Sequence, residues 1–355
     1  MPVYKKLAGL ALGLLALVLL IKVANPGAIA KYVSHLNPYY IVAAAATEVI
    51  GGVLYSFAWF ILFKPSGVKT SIRQAYFMTM GSLFLIYTTP TGIAAEAMRI
   101  QMAKKHAEGD YGGPAASVVV HRLLYALGFV TVAGTATGLV YGALSTSPLI
   151  RTVFYTLITT LVLIGAVAAI AVKANMLKGI TKWVASKFGP RLGKLFGGGE
   201  AQQNGVIDRA FDNFQLALKK ISKSPARVLS SYAVISVRWI LVSVVALLVM
   251  DAIGYHGISI WAIMIVMMIA ELVSTTPIGV PGMLGILDAA IIGSYTALGV
   301  PLPIAAATDL LTRVVLYLVN IPLTGTLFYF YVRKSGEGNE KAVEVHEPPA
   351  SVAVR

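Results

Sequence analysis

The side chains with chemistry to offer are charged groups set in apolar surroundings: Glu48, Arg99, Arg122, Arg238, Glu271, Asp309 and Arg313. An ionisable group at the centre of a membrane helix costs about 2.5–3.5 kcal/mol on insertion scales, so such groups face protein or water and find partners. Arginine's planar fork suits a carboxylate or a phosphate held by two parallel hydrogen bonds. Arg99, Arg122 and Arg313 together form a candidate clamp for an anionic headgroup; the alternative is that they anchor neighbouring segments. Glu48 and Arg238 each fall midway along an apolar run, as an ion pair that rearranges or as a static one. Glu271, one turn before Thr275, is a candidate proton or cation site, or an acid held by backbone amides. Asp309 and Arg313 are four apart, on one helix face, which suggests a pair within the helix.

Other chemistries lack their residues. There is no cysteine, which excludes disulfides and thiolate metal sites. No His-Glu-x-x-His, no aspartate-rich Mg²⁺ motif and no Ser/His/Asp set is legible, so we expect no enzyme, no cofactor and no metal. Gly197-Gly198-Gly199 reads as a flexible link, because no Gly-Lys-Ser/Thr follows it.

The elements that must carry these residues are membrane helices. The 355 residues are 57% hydrophobic and 12% charged, against about 25% charged in soluble domains, and mean hydropathy is +0.77. Long apolar runs approach or exceed the roughly 20 residues needed to span a bilayer. Spans are expected at 7–24, 38–63, 115–143, 151–173, 225–250 and 303–332. Lys5-Lys6 before the first run resembles a signal peptide, but no convincing cleavage site follows, so it reads as a retained span. Unbroken apolar runs exclude a β-barrel, whose strands alternate.

Two further apolar elements, 74–107 and 259–299, are interrupted by the same tripeptide, Thr88-Thr89-Pro90 and Thr275-Thr276-Pro277. Shifting the chain by 187 positions (275 − 88) also lays Pro38 on Pro225, Gly67 on Gly254, Met80 on Met267 and Gly92 on Gly279. This is an internal duplication, and paired helix breaks in related halves point to a transport site. Pro90, Gly92, Pro277, Gly279, Pro281, Gly282 and Gly285 shape the breaks, since proline removes an amide and glycine permits positive φ. The arm after Pro90 is too polar to span lipid and the arm after Gly285 too short, so each element reads as a re-entrant hairpin.

The net charge is +14. Much of the excess lies between Lys173 and Lys223, beside spans, where basic residues mark the cytoplasmic side and attract anionic headgroups; a nucleic-acid partner is not expected. With both termini inside, Lys64, Lys69, Arg73, the 99–106 cluster, 174–224 and Arg333-Lys334 all fall inside. The expected architecture is an all-α polytopic membrane protein with two inverted repeats, each of three spans plus one broken re-entrant hairpin. Residues 1–148 form the first and 149–333 the second, with 174–224 as a basic insertion. That insertion reads as amphipathic helices on the headgroup layer (Val206 to Ile221 being one) or as a cytosolic connector. Residues 334–355 read as a disordered polar tail. Tyr39, Tyr40, Trp59 and Trp261 read as interface belts.

Pro90, Gly92, Glu96 and Arg99 resemble a P-x-G-x-x-x-E-x-x-R signature. His121-Arg122-Leu123 resembles E-R-L, Pro281 to Gly285 with Asp288 resembles P-G-G-L-G-x-x-E, and Arg313 with Tyr317 resembles R-x-x-x-Y. In this order they resemble the lysylphosphatidylglycerol synthase transmembrane region, or flippase-like domain family, over most of the chain. The resemblance implies a domain of the cell membrane that moves lipids or lipid-linked headgroups between leaflets. Its partners would be anionic or polyprenyl-linked lipids, with lipid or glycan synthesis enzymes as possible associates. It does not imply the aminoacyltransferase chemistry that follows this region in the lysyl-lipid enzymes. His121 stands where the pattern has an acid, Met283 where it has glycine, and Asp288 where it has glutamate. An accessory subunit of a lipid or glycolipid pathway is the alternative, and a membrane-embedded transferase the weaker one.

Overall fold

The computed structural model describes residues 21–88, 93–108, 110–144, 200–275 and 283–344, with scattered positions in 15–19 and 155–166. Among the described residues all regular structure is helical: α1 (Pro26–Ser34), α2 (Pro38–Ile61), α3 (Phe63–Ser66), α4 (Ile72–Thr88), α5 (Ile93–Lys104), α6 (Gly112–Leu144), α7 (Glu200–Ser222), α8 (Pro225–Ala252), α9 (Ile260–Thr275), α10 (Ile286–Ala297) and α11 (Leu302–Glu344). Four of these have the length and apolar character to cross a membrane: Pro38–Ile61, Gly112–Val140, Pro225–Ala252 and Leu302–Arg333. Most of the expected spans 7–24 and 151–173 lies outside the described residues.

Helix starts follow local chemistry. Proline opens α1, α2 and α8, where its missing N–H costs nothing. Asn37 caps α2 by accepting from the Tyr39 amide at 3.0 Å, and Asn25 caps α1 through the Ala28 amide at 3.3 Å. The sequence reading passed over α1; the Asn25-Pro26 pair is the signal that marks it. Helix ends are as local. α4 is described up to Thr88 and α9 up to Thr275, the first residue of each Thr-Thr-Pro. Gly67 and Gly254, related by the duplication, both turn the chain with left-handed φ, +82° and +75°.

α2 and α8 run antiparallel. At one end the Asn37 amide donates to the Ala252 carbonyl at 2.7 Å; at the other, Ser231 Oγ donates to the Ala58 carbonyl at 2.8 Å. Small residues on α2 allow the approach, and a Cβ on Gly51 would stand 3.0 Å from the Arg238 side chain. α6 and α9 complete this core through Phe129, Ala133, Met264 and Met268, packed on Ile235 and Trp239. α4 packs on α5, and α9 on α10. The arms α5 and α10 have twelve residues each, roughly 18 Å of helix against a hydrocarbon layer of about 30 Å.

α7 docks on α6. Phe211, Ala217 and Ile221 are buried, and Gly112 brings the α6 start so close that an added Cβ would collide with the backbone around Ala210 and Phe214. The helical reading of Val206 to Ile221 holds, but its apolar face meets protein. The basic stretch 174–199 lies outside the described residues. α11 contains Pro322 and continues to Glu344, into the stretch read as disordered tail.

Candidate functional site

The charged residues gather into three clusters, the first two of them linked. In the first, α5 presents Glu96 and Arg99 to α6 and α2. Arg99 is fully buried. Its guanidinium lies 4.1 Å over the Trp59 ring and 5.5 Å from the Tyr55 ring, and donates to Glu96 Oε2 at 3.0 Å. Trp59 is itself fixed by its indole N–H on Ser117 Oγ at 3.0 Å. Arg99 therefore holds Glu96 in this conformation and is closed to a headgroup, which corrects the expectation that it belongs to an anion clamp. Trp59 is likewise corrected: it is wholly buried beneath a cation, while Tyr39, Tyr40 and Trp261 are exposed as belt residues would be.

Arg122, on α6, completes this cluster. Its Nε donates to Glu96 Oε1 at 2.7 Å, and Nη2 closes on the same oxygen. One carboxylate thus serves two guanidinium groups. Arg122 keeps 36% of its side chain accessible and lies 5.7 Å from the Tyr125 ring. His121 explains how the family's acid is replaced. It is buried, and its Nδ1 faces Arg99 Nη2 at 3.3 Å, so the ring accepts there and carries its proton on Nε2.

The second cluster brings Glu48 and Arg238 together. Arg238 Nη2 reaches both carboxylate oxygens at 3.4 Å. Asn320 of α11 adds a 3.0 Å hydrogen bond to Glu48 Oε1. One buried acid therefore joins α2, α8 and α11. Tyr125 connects this cluster to the first. Its ring lies 4.5 Å from that of Trp239, whose N–H donates to the Tyr125 carbonyl at 3.0 Å. Glu271 on α9 lies in the electrostatic field of both Arg122 and Arg238. Its near hydroxyl is Ser274, which donates to the Glu271 carbonyl at 2.8 Å.

The third cluster lies in the second broken element. Arg313 Nη2 approaches Asp288 Oδ1 at 2.7 Å, and Nη1 donates to Tyr317 Oη at 3.2 Å. Asp288 also accepts from the Gly285 amide at 2.6 Å, capping α10. The described ion pair of Arg313 thus crosses between helices to Asp288, where the spacing suggested Asp309. Asp309 is buried beside Asp288. Met283 holds left-handed φ of +52°, the conformation for which glycine is suited, so the substitution keeps the turn at the cost of strain. Gly285 has φ +79°. Pro90, Gly92, Pro277, Gly279, Pro281 and Gly282 lie outside the described residues.

The first and third clusters share a plan. Each second arm carries an acid in its opening turns, Glu96 or Asp288. Each acid meets an arginine of the next long helix, Arg122 or Arg313. Each arginine has a tyrosine close by on its own helix, at 5.7 Å for Tyr125 and 5.8 Å for Tyr317. Sequence reading named the arginines but not Tyr55, Tyr125 or Asn320 as their neighbours. Tyr55 and Trp59 follow Glu48 at seven and eleven residues, so the helical period places all three near one face.

The comparisons with known proteins agree with this membrane architecture. Residues 6–323 match the profile of the lysylphosphatidylglycerol synthase TM region. A UPF0104 membrane protein of Methanothermobacter thermautotrophicus is similar, 22% identical over 311 residues that cover 86% of this chain and 89% of the relative. No solved structure matches. The chain belongs to the lysylphosphatidylglycerol synthase TM region family.

Proposed function

We propose that this protein moves an anionic lipid or lipid-linked headgroup between the leaflets of the cell membrane, without chemistry of its own. The observation that carries the reading is the matched pair of acid–arginine contacts, Glu96 with Arg122 and Asp288 with Arg313, each tying a short second arm to the next long helix. An arginine stripped of its acid leaves a charge unpaired, at a cost of about 3–5 kcal/mol where it is largely buried, as Arg313 is, and less at the more accessible Arg122. A phosphate held by the same fork replaces that partner. Headgroup entry can then exchange one ion pair for another at little net cost and release the arm from its neighbour. Arg122 and Arg313 are the substrate groups in this scheme. Glu48 with Arg238 is the contact across which the halves rock, and Glu271 and Asp309 complete the charge lining.

The antiparallel packing of α2 and α8, whose starts are related by the duplication (Pro38 and Pro225), supports two inverted repeats. In that arrangement one broken element opens to each side. Acyl or polyprenyl chains stay in lipid while the headgroup crosses between the repeats. We place both termini in the cytoplasm, on the charge bias of the loops.

The test is leaflet transfer of a fluorescent anionic lipid in sealed vesicles holding the purified protein. Transfer should exceed that in empty vesicles, and Arg122→Ala with Arg313→Ala should slow it at least about tenfold, the loss of one charge-assisted contact. Transfer equal to empty vesicles would favour an accessory subunit instead. Product formed from a labelled lipid donor would make the protein an enzyme.

A further inference from the structure

A cavity of about 360 Å³, lined by none of the residues of these clusters, lies where α2 ends and α8 begins. It is lined by Lys64, Pro65, Gly67, Lys220, Lys223, Ser224 and Arg227, four cations and no acid. Its volume falls within the roughly 300–1,000 Å³ of small-molecule sites. Three chain segments build it. Lys64 comes from α3, and Gly67 turns the chain away behind it with nothing within 4 Å of a prospective Cβ. Lys220 and Lys223 close α7. Ser224 opens α8 without a side-chain cap, its hydroxyl being spent on the Lys220 carbonyl at 3.1 Å. Arg227 stands in the first turn of α8. Its Nη1 reaches the Ile61 carbonyl at 3.5 Å, the far limit of a hydrogen bond, and the other nitrogens of the fork have no protein partner among the described residues.

The helix ends do not neutralise this charge. The carbonyl ends of α2 and α7 supply about half an elementary charge each, and the amide end of α8 returns about half with the wrong sign. Arg227 in particular sits at the end of α8 where a cation is unfavourable and an anion favoured. Three exposed lysines and a partly buried arginine, with no acid among the described lining residues, make this depression favourable for an anion.

We propose that this cavity binds a phosphate group, supplied by an anionic phospholipid at the membrane face where α2 and α8 emerge. The placement fits an amphiphile. The cavity lies at the polar end of two membrane-length helices, and two residues beyond Arg227 the surface of α8 turns apolar, with Leu229 65% exposed. A phosphate in the cavity leaves its acyl chains lying along that apolar wall. The site is separate from Arg122 and Arg313 and stands whether or not the protein transports lipid. Its role is to fasten α3, α7 and α8 together on the membrane face.

The experiment follows the Tm of the full chain in neutral detergent by intrinsic tryptophan fluorescence. It is titrated separately with short-chain phosphatidylglycerol, phosphatidylcholine and inorganic phosphate. Phosphatidylglycerol should raise Tm and phosphatidylcholine should not. Lys220→Gln with Lys223→Gln should need about thirty-fold more phosphatidylglycerol for the same shift, at about 1 kcal/mol per cation near the membrane surface. Because both lysines are exposed, the variant's Tm without lipid should be unchanged. Lys69→Gln with Lys219→Gln, two exposed lysines at the same end but outside the cavity, should titrate like the wild type. A shift from inorganic phosphate, lost in the same variant, keeps the site and makes free phosphate its source. No shift with either phosphate probe, or an equal loss in the two double variants, overturns the proposal.

Discussion

At the residue scale, Glu96 is the most exacting position. It holds Arg99, which is fully buried between two aromatic rings, and Arg122 at once. Glu96→Gln should cost about 3 kcal/mol, the low end of breaking a buried pair, since the amide oxygen still accepts one bond. Glu108→Gln is the comparison. Glu108 pairs with Lys69 at 2.8 Å, but the side chains are 83% and 80% exposed, and such pairs are screened by water and salt. Hydrogen bonding and charge from Lys69 hold the Glu108 carboxyl below its ordinary range, and Glu108 holds the Lys69 ammonium above its own. Any contribution is therefore present through neutral pH, fading in acid as Glu108 takes up a proton and in base as Lys69 loses one. Thermal denaturation in detergent should show a clear drop in Tm for Glu96→Gln and none for Glu108→Gln at neutral pH. Equal effects would remove the special status of the buried acid. The sequence could name Glu96 and Arg99 only through a motif. That Arg99 is shut away from ligand follows from Tyr55 and Trp59 covering it, and covering is a matter of helix packing that spacing alone does not reveal.

At the scale of elements, α7 provides the sharpest contrast between pattern and packing. Its amphipathic period is plain in the sequence, but a period reports only that one face is apolar, not whether lipid or protein meets it. Gly112 at the α6 start decides the matter, because it lets α7 approach closer than any side chain would allow. Ile221 is then part of the central core, while Leu216 is half exposed. Ile221→Ala should lose about 2–4 kcal/mol and Leu216→Ala less than about 0.5 kcal/mol, read as Tm in detergent. Similar losses at the two positions would mean that α7 rests on lipid after all. The turn before α10 was more legible, since Gly285 holds the left-handed φ that its residue type suits. α1 was hidden by brevity, and the last turns of α11 by a composition that resembles a tail.

At the scale of the whole molecule, the duplication makes a prediction about sidedness. Lys69 and His256 are related by the same 187-residue shift (256 − 69), and each follows the helix that closes at Gly67 or Gly254. α2 and α8 run in opposite directions, so the two positions lie at opposite ends of the pair. The chain has no cysteine, which makes single replacements unambiguous. Lys69→Cys and His256→Cys, with side chains 80% and 68% accessible in the parent residues, should react with a membrane-impermeant maleimide from opposite faces of sealed vesicles. Labelling from one face would exclude an inverted arrangement and with it the proposed path. Fold class was open to sequence reading because apolar length is a local property. The partners of the charges were not, because Asn320, Asp288 and Tyr125 reach them from helices distant in the chain.

That distance bears on how the protein is made. Glu48 is joined to Arg238 across 190 residues and to Asn320 across 272. At about 5–20 residues per second, a ribosome delivers the first of these partners roughly 10–40 s after the acid itself has been synthesised. During that interval α2 holds a carboxyl group for which neither final partner exists. The nascent helix must wait beside water, a translocon wall or an assembly factor before it can settle, so biogenesis of this protein is gated by its later half.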